Sequence, residues 1–195
     1  ADSWSTGYTY DSKGRTSQVS GGAGAWTLAY MSNADLLSQV SGPYGISVAG
    51  AYETNRDLLT RRENKVGNTI ISAFDLANDP LGRRTSIVRS GSMFPQNETL
   101  TFGYNSQSEV VSAVSSLAQQ NDWSHLFAYD PIGNRLSATK GQANPVTTSY
   151  TTGATNAYAT IQEGLNTVEP TYDDDGNMIT MPMGFTQWGY QWDAE

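Results

Sequence analysis

The fold is decided by a ten-residue stretch, Phe127-Ala128-Tyr129-Asp130-Pro131-Ile132-Gly133-Asn134-Arg135-Leu136. Its two aromatics fall on one face of a strand, because side chains alternate along a strand. The following Asp suits the first position of a turn, where its carboxylate can accept a backbone N–H two residues on. The Gly suits the positive φ that closes a type I turn with a bulge. The stretch therefore predicts a β-hairpin.

The same pattern recurs along the chain. Two further clear copies are Tyr8-Thr9-Tyr10-Asp11-Ser12-Lys13-Gly14-Arg15 and Thr171-Tyr172-Asp173-Asp174-Asp175-Gly176-Asn177-Met178-Ile179. The copy at Asn78-Asp79-Pro80-Leu81-Gly82-Arg83 lacks the adjacent aromatic, and Phe102-Gly103-Tyr104-Asn105 has Asn in place of Asp. Pro80 and Pro131 occupy the second turn position, which favours Pro. The motif positions are Tyr10, Asp11, Gly14, Arg15, Asp79, Gly82, Arg83, Tyr104, Asn105, Tyr129, Asp130, Gly133, Arg135, Tyr172, Asp173, Gly176, Trp192 and Asp193.

Eroded copies fill the remaining intervals. Tyr30 with Asp35 and Tyr52 with Asp57 share one spacing and form sister repeats. The most degenerate copy is Tyr150-Thr151-Thr152-Gly153, and Tyr190-Gln191-Trp192-Asp193 begins another. The mean spacing of about 23 residues is typical of repeat arrays. We therefore predict that residues 1–195 form a single array of about eight to nine repeats, truncated at the last one, and a fragment of a larger protein.

The composition favours many short strands. Hydrophobic residues make up 37% of the chain, aromatics 11%, and Gly occurs 19 times, a mix that suits strands joined by tight turns. The 15% of charged residues is too low for a disordered segment. Only Val110 to Gln120 has a partial helical period, and Ser pairs interrupt it, so a helix is not favoured there. The predicted fold class is all-β, built from tandem β-hairpin repeats.

Charge and residue usage exclude several functional classes. The net charge of −8 argues against nucleic acid or an anionic membrane surface as a partner. The absence of Cys excludes disulfides and thiolate metal sites. No apolar run approaches the roughly 18 residues that a membrane-spanning helix needs. We expect no nucleic-acid partner and no membrane span.

Few residues suggest catalysis or metal binding. His125 is the only His, and the partners that a catalytic His needs are not evident around it, so a structural role is favoured. The acidic run from Asp173 to Asn177 resembles a calcium loop, but Met178 and Gly184 stand where an EF-hand needs Gly and Glu. We predict no enzyme activity and no cofactor; calcium binding through another geometry is the alternative.

The aromatic residues leave two interpretations open. Aromatics at alternate strand positions usually pack between neighbouring hairpins, which is the favoured interpretation. The tryptophans could instead stack on sugar rings, as in a carbohydrate- or protein-binding adhesion module. The residues concerned are Trp4, Trp26, Trp123, Trp188 and Trp192.

These motifs resemble the YD-repeat, or RHS-repeat, family, which includes bacterial RHS proteins, the shell subunits of insecticidal Tc toxins and animal teneurins. The resemblance covers essentially the whole chain. It is carried by Tyr10-Asp11-x-x-Gly14-Arg15, Tyr129-Asp130-x-x-Gly133-Asn134-Arg135-Leu136, Tyr172-Asp173-x-x-Gly176-Asn177 and Trp192-Asp193-Ala194-Glu195. The resemblance implies a continuous, curved antiparallel sheet that is a segment of a spiralling hollow shell.

The resemblance also implies a function. Such shells enclose a toxin-like C-terminal polypeptide and are closed by an RHS-core segment, in many members through aspartic autoproteolysis. No part of this chain matches the core segment, so no protease residues are assigned. We expect a non-catalytic shell segment of a secreted or cell-surface bacterial protein. Its expected partners are neighbouring repeats, other domains of the same polypeptide and a cargo polypeptide; glycans and self-association through sheet edges are alternatives.

Overall fold

The computed structural model describes residues 5–117, 124–183 and 186–193. These residues form β-strands, a short 3₁₀ turn at Pro43–Gly45 and, within those ranges, no α-helix. No helix of the described ranges is therefore long and apolar enough to cross a membrane. The strands are β1 (Gly7–Tyr10), β2 (Thr16–Gly21), β3 (Gly24–Tyr30), β4 (Leu37–Ser41), β5 (Ile46–Tyr52), β6 (Leu59–Val66), β7 (Thr69–Asn78), β8 (Arg84–Ser90), β9 (Glu98–Tyr104), β10 (Val110–Ser115), β11 (His125–Tyr129), β12 (Arg135–Lys140), β13 (Val146–Thr152), β14 (Tyr158–Glu163), β15 (Asn166–Val168), β16 (Thr171–Tyr172), β17 (Met178–Met183) and β18 (Thr186–Gly189).

The order of strands in the sheet is the order along the chain. Strands β1 to β15 follow one another in a 15-stranded sheet, and β16 to β18 form a separate sheet of three. Successive strands pair in antiparallel fashion, as in β1 with β2 and β11 with β12. The predicted class of tandem β-hairpins is confirmed. The start of the doubtful helical stretch, Val110–Ser115, is strand β10, and Gln120 lies outside the described residues.

The chain divides into two compact units, Ala1–Leu100 and Thr101–Glu195. The first unit holds β1 to β8 and the start of β9. Its longest strands, β6 and β7, have 8 and 10 residues, and Ala73 of β7, between Glu63 of β6 and Ser90 of β8, is buried. Among the described residues of the first unit, Ala73 is the one hydrophobic residue that is buried. The first unit is therefore a sheet with a thin core.

The two faces of each unit differ in chemistry. In the first unit Tyr8, Val19 and Trp26 face one another across three strands on what we call the motif face. Thr9, Gln18 and Thr27 pair in the same way on the opposite face. The second unit repeats the contrast, with aromatics such as Phe127 and Tyr150 on its motif face and paired Ser137 and Ser149 opposite. The strand alternation places the motif aromatics together, and these rings are mostly half-buried.

One strand departs from the predicted continuous sheet. The segment from Asn166 to Tyr172 corresponds to a single outgoing strand in the other repeats, but it forms β15 and β16 with Glu169 and Pro170 between them. Pro170 is buried and has no N–H to donate to a ladder. The interruption follows from this single residue.

Candidate functional site: motif turns and inter-repeat hydrogen bonds

Each motif Asp organises its own turn. The Oδ1 atom of Asp130 accepts the backbone N–H groups of Ile132 (3.0 Å) and Asn134 (2.8 Å), and Oδ2 accepts Nδ2–H of Asn134 (2.8 Å). The Asp130 N–H donates to the Asn134 carbonyl (2.9 Å), and the Gly133 N–H donates to the Asp130 carbonyl (3.1 Å). Gly133 has φ of 92°. This is the predicted Asp-initiated turn closed by a Gly of positive φ.

Three other turns have the same hydrogen bonds. In each, Oδ1 of the Asp accepts the N–H groups two and four residues later, and Oδ2 accepts a side-chain N–H of the fourth residue. The fourth residue is Arg or Asn, so its identity varies while its donor role is kept. The turns begin at Asp11, with Arg15; at Asp79, with Arg83; and at Asp173, with Asn177.

In the turn that begins at Asn105, the first residue carries the side-chain donor and the fourth residue after it carries the acid, the reverse of the Asp turns. Oδ1 of Asn105 still accepts the N–H groups of Gln107 and Glu109, both at 3.0 Å. Its amide nitrogen donates to Oε2 of Glu109 (2.5 Å), so the acidic group has moved to the fourth residue. Ser108 takes the place of Gly with φ of 66°. The Asn105 turn therefore keeps the backbone hydrogen bonds of the Asp turns while the amide and the acid exchange positions.

Two turns are one residue longer. The N–H of Met31 donates to the carbonyl of Leu36, and that of Glu53 donates to Leu58, both at 2.9 Å. Met31 and Glu53 therefore stand where other repeats have Asp, and Asp35 and Asp57 lie later in the loop. The Glu53 carboxylate accepts Nε–H of Arg56 and Nδ2–H of Asn78. It thus serves its own turn and the next one.

The hydrogen bonds lower the pKa of the turn carboxyls. The side-chain and backbone N–H groups of Asn134 hold the pKa of Asp130 below its usual value, and Asn177 does the same for Asp173. Desolvation would raise the pKa of Asp11, but hydrogen bonds from Arg15 and Lys13 outweigh it and lower the pKa. These acids are therefore held as carboxylates by local N–H donors and not arranged as proton donors.

Five motif aromatics each connect their repeat to the one before it. The hydroxyl of Tyr30 donates to the Thr16 carbonyl (2.9 Å), and that of Tyr52 donates to the Leu37 carbonyl (3.0 Å). We call this contact the inter-repeat bond. The same bond is made by Tyr129 to Val110 (3.1 Å), by Tyr172 to Tyr158 (3.1 Å) and, through Nε1–H, by Trp192 to Met178 (2.8 Å).

The accepting carbonyl has no backbone donor on the next strand, because the pairing of the two strands ends before it. We call such a group an open carbonyl. Strand β2 pairs with β3 only as far as Gln18 and Thr27, three residues before Tyr30. Within the hairpin, Tyr10 pairs with Thr16 while Thr9 pairs with Gln18, so the register shifts at the intervening residue. A carbonyl left out of the ladder needs another donor. The next repeat's motif aromatic supplies it.

Where the motif aromatic is missing, the residue directly opposite makes the hydrogen bond to the preceding repeat, as a donor at Arg84 and as an acceptor at Tyr158. Asn78 replaces the Tyr of its repeat, and Arg84, its cross-strand partner, donates Nη1–H to the Leu59 carbonyl (3.2 Å). Thr152 replaces the Tyr of another repeat, and its partner Tyr158 accepts the Arg135 N–H (3.1 Å). Sequence reasoning missed both substitutes, because they lie on the return strand and outside the motif.

Neighbouring turns are also joined at their tips. Arg15 Nη1 donates to the Ala34 carbonyl (2.8 Å), and Lys13 Nζ donates to the Ser32 carbonyl (2.8 Å). Arg56 Nη1 reaches the Asp79 carbonyl (2.8 Å), and Gln107 Nε2 reaches the Pro131 carbonyl (2.9 Å). Lys13, Arg15 and Arg56 therefore donate hydrogen bonds that hold neighbouring turns together.

Arginine packs against the motif aromatics. The guanidinium carbon of Arg15 lies 4.3 Å from the ring centroid of Tyr30. That of Arg135 lies 5.0 Å from the Phe127 centroid and 5.8 Å from that of Tyr150. Arg135 Nε has no hydrogen-bond partner among the described residues, so cation–π contacts hold this group.

The residues considered for chemistry are placed as follows. His125 stacks on Phe127 with ring centroids 5.8 Å apart and the rings 2° from parallel. Within the described ranges no three His, Cys, Asp or Glu residues are grouped to hold a metal ion. Trp26 packs against the backbone of Gly42, where an added Cβ would meet its ring at 2.4 Å. Trp188 and Trp192 are exposed, and Trp4 and Trp123 lie outside the described residues.

Comparison with solved structures shows where else this fold occurs. The chain is similar to the crystal structure of TcdB2-TccC3-TEV, with a TM-score of 0.65, 17% identity and coverage of 89% of this chain and 10% of that chain. For TcdB2-TccC3 without its hypervariable C-terminal region the TM-score is 0.63, the identity 17% and the coverage 91% and 10%. For the Tc holotoxin pore of Photorhabdus luminescens the values are 0.61, 13%, 92% and 12%.

These similarities confirm the predicted resemblance at the level of the fold. The chain has the fold of a segment of Tc toxin chains, and it spans about a tenth of the length of the structures it matches. No family model matches the sequence, and no curated protein matches it.

Proposed function

We propose that this chain is a wall segment of an RHS/YD-repeat shell that encloses a cargo polypeptide within a larger secreted or surface-associated protein. Its task is structural and not catalytic. The observation that carries the proposal is the inter-repeat bond, which joins five pairs of neighbouring hairpins by the same type of contact to an open carbonyl. A contact that each new hairpin makes to the preceding one can extend a sheet by one hairpin at a time, and the wall of a shell is a sheet of this kind.

Exposure of the sheet faces supports the proposal. Large side chains such as Leu126 and Leu136 are exposed on strands of the second unit. Apolar surface of this kind is typical of a sheet that is covered by other parts of a larger protein. The motif Asp, Gly and Arg positions then act as turn-forming residues.

Protease protection tests the proposal in the polypeptide that contains this chain. We expect the cargo segment to resist limited proteolysis and to become sensitive when the wall is opened by Tyr52→Phe together with Tyr129→Phe. Each substitution removes one inter-repeat bond and keeps the ring. Tyr8→Phe is the matched control, since the Tyr8 hydroxyl has no partner among the described residues. A cargo cut equally fast in the unaltered polypeptide and in the double variant would contradict encapsulation.

A second candidate is an adhesion module, favoured by one observation. Trp188 lies on β18, and Tyr190 and Trp192 follow that strand at alternate positions of the sequence, with 57%, 38% and 56% of the three residues' surface exposed. Side chains two residues apart share a face where the chain is extended, so these three exposed rings would form a row if the chain stays extended beyond Gly189. Aromatic rows of this kind can stack on sugar rings or on a partner protein.

Glycan binding by the isolated chain tests this second candidate. If the row binds sugars, saturable binding to a glycan array should be lost on Trp188→Ala. Trp26→Phe is the control, because Trp26 packs on Gly42 and lies in another part of the chain. Absence of binding to any glycan by the unaltered chain would rule against sugar recognition by this row.

A further inference from the structure

Several neighbouring turns are joined at their tips, but one adjacent pair in the first unit is not. Lys13 and Arg15 join the first turn to the turn at 31–36, and Arg56 joins the turn at 53–58 to the turn after it. Among the described residues no hydrogen bond or ion pair links the 31–36 turn to the 53–58 turn. A cleft of about 470 Å³ lies between these two turns, and we call it the inter-turn cleft.

The lining of the inter-turn cleft is partly apolar and partly polar. Met31, Leu36 and Tyr52 supply apolar surface, and Thr54 and Asp57 are among the polar residues. The volume falls in the range of about 300–1,000 Å³ that is typical of small-ligand sites. A long side chain with an apolar stem and a polar head suits such a lining.

The two turns that border the cleft have the same length and the same closing hydrogen bond, from N–H to C=O at 2.9 Å. When they are aligned on that bond, Thr54 corresponds to Ser32 and Asp57 corresponds to Asp35. The Ser32 carbonyl and the Asp35 carboxylate face the turn that precedes them. We infer that the carbonyl of Thr54 and the carboxylate of Asp57 face the inter-turn cleft in the same way, and both residues line it.

In the preceding gap, cations of the chain itself occupy the equivalent acceptors. The Ser32 carbonyl accepts Nζ–H of Lys13 at 2.8 Å, and Oδ1 of Asp35 accepts Nη1–H of Arg15 at 3.2 Å. Basic side chains therefore fit between turns of this geometry.

The acceptors of the inter-turn cleft have no such donor. Within the described ranges no group donates to the Thr54 carbonyl, and no cation pairs with the Asp57 carboxylate. The 31–36 turn contains neither Lys nor Arg, and Arg56 is bonded to Glu53 and to the following turn. The cleft thus combines an apolar lining with a carbonyl and a carboxylate that lack a basic partner.

We propose that the inter-turn cleft binds an arginine side chain from a polypeptide segment outside these repeats. Its stem packs on Met31 and Leu36, and its guanidinium donates to the Thr54 carbonyl and the Asp57 carboxylate. A guanidinium has five N–H donors in one plane, so a single head can serve both acceptors. The occupant is a polypeptide side chain because the occupants of the preceding gap are of that kind. The site needs only the two turns and is independent of the wall function.

Titration of the full chain with N-acetyl-L-arginine amide, followed by the amide signals in NMR, tests the site. We expect saturable shifts at Thr54, Asn55 and Asp57. N-acetyl-L-citrulline amide has nearly the same shape without the charge and should bind more weakly. Asp57→Asn should weaken binding of the arginine compound about 2- to 5-fold, the contribution of one exposed ion pair. Free L-arginine should bind no more tightly than the blocked compound.

Two variants serve as controls. Asp35→Asn changes the equivalent carboxylate, which already pairs with Arg15, and should leave the affinity unchanged. Asn33→Lys places an ammonium at the turn position that Lys13 has in the first turn, so it should fill the cleft from within and abolish the shifts. Equal binding of the citrulline compound, or an affinity unaffected by Asp57→Asn, would overturn the proposal. Tighter binding of free L-arginine would overturn the polypeptide occupant. None of these outcomes alters the cargo-protection assay.

Discussion

Asp130 shows how one carboxylate specifies a five-residue turn. Its two oxygens accept three N–H groups, and its own N–H and C=O bond to Asn134 and Gly133. The spacing of Asp and Gly was enough to predict this geometry, because short polar side chains and positive φ each have few alternatives in a tight turn. The side-chain partner at the fourth position was not predictable. Arg, Asn and Glu all serve there.

The positive φ of the turn Gly leads to the first prediction. Gly82 has φ of 82°, and an added Cβ would lie 3.6 Å from Leu58, an ordinary contact. Gly82→Ala should lower the free energy of unfolding by about 1–2 kcal/mol, the cost of a left-handed conformation for a residue with a Cβ. Gly82→Asn should cost less, since Asn156 already adopts a positive φ in its turn. Urea unfolding measures both.

Gly153→Ala is the matched control for this prediction. Gly153 stands in the most degenerate turn, has no positive φ, and leaves a Cβ no contact closer than 3.7 Å. The Ala variant there should be neutral. If Gly82→Ala were equally neutral, positive φ would not be the reason for Gly in the motif.

The lowered carboxyl pKa values predict loss of stability in acid. Asp11, Asp79, Asp130 and Asp173 all have a pKa below the usual value. Because the unfolded chain then binds more protons in acid, their contribution is fully present above the unfolded Asp pKa of about 3.9 and is lost as the pH falls through the lowered folded values. Thermal unfolding followed by circular dichroism should show Tm constant near neutral pH and falling below about pH 4.

A variant in which all four residues are changed to Asn checks the assignment. It should melt at a lower temperature at pH 7 and should show a smaller decrease of Tm in acid. Asn can still accept the backbone N–H groups, as Asn105 does, so the chain should fold. An acid dependence as steep as that of the unaltered chain would assign it to other carboxyls, such as Glu63 beside Lys65 and Arg61.

At the scale of the hairpin, the inter-repeat bond compensates for the shortened ladder. The sequence predicted that alternate aromatics share a face, but it did not predict that a Tyr hydroxyl reaches a carbonyl in the preceding repeat. That bond depends on where the pairing of two strands stops, and no single residue type marks the position. For the same reason the sequence did not predict that Arg84 and Tyr158 make these hydrogen bonds where the motif Tyr is missing. Either member of a cross-strand pair can supply the polar group.

Removal of one inter-repeat bond provides the element-scale prediction. Tyr52→Phe leaves the Leu37 carbonyl without its donor and should lower the free energy of unfolding by about 1 kcal/mol. Tyr8→Phe changes the same functional group on an exposed ring without a described partner and should be neutral. Equal stability of the two variants in urea would show that water replaces the Tyr52 hydroxyl at no cost.

At the scale of the whole molecule, the repeats were sufficient to predict the class of fold. Each hairpin is defined by nearby residues, and sequential hairpins pair with their neighbours, so the strand order follows without long-range information. What could not be predicted depends on single residues or on pairs far apart in sequence. Pro170 interrupts one strand, and the buried Glu98 forms an ion pair with the half-buried Arg89 that no repeat position indicates. The proposed wall function is inferred from the repeats, whereas the repeats carry no information about the identity of the cargo.

An array in which each hairpin contacts only its neighbours should unfold locally. Within the first unit we expect the slowest hydrogen exchange in β6 and β7, which are its longest strands and include the buried Ala73, and the fastest in β1, which pairs only with β2 among the described strands. Gly82→Ala should then accelerate exchange in β7 and β8, the strands that its turn joins, and leave β1 to β3 unchanged. Exchange measured by mass spectrometry on peptides from each hairpin resolves this. Acceleration of equal size from β1 to β8 would show that the unit opens as one cooperative body, and the hairpins would then stabilise one another beyond their nearest neighbours.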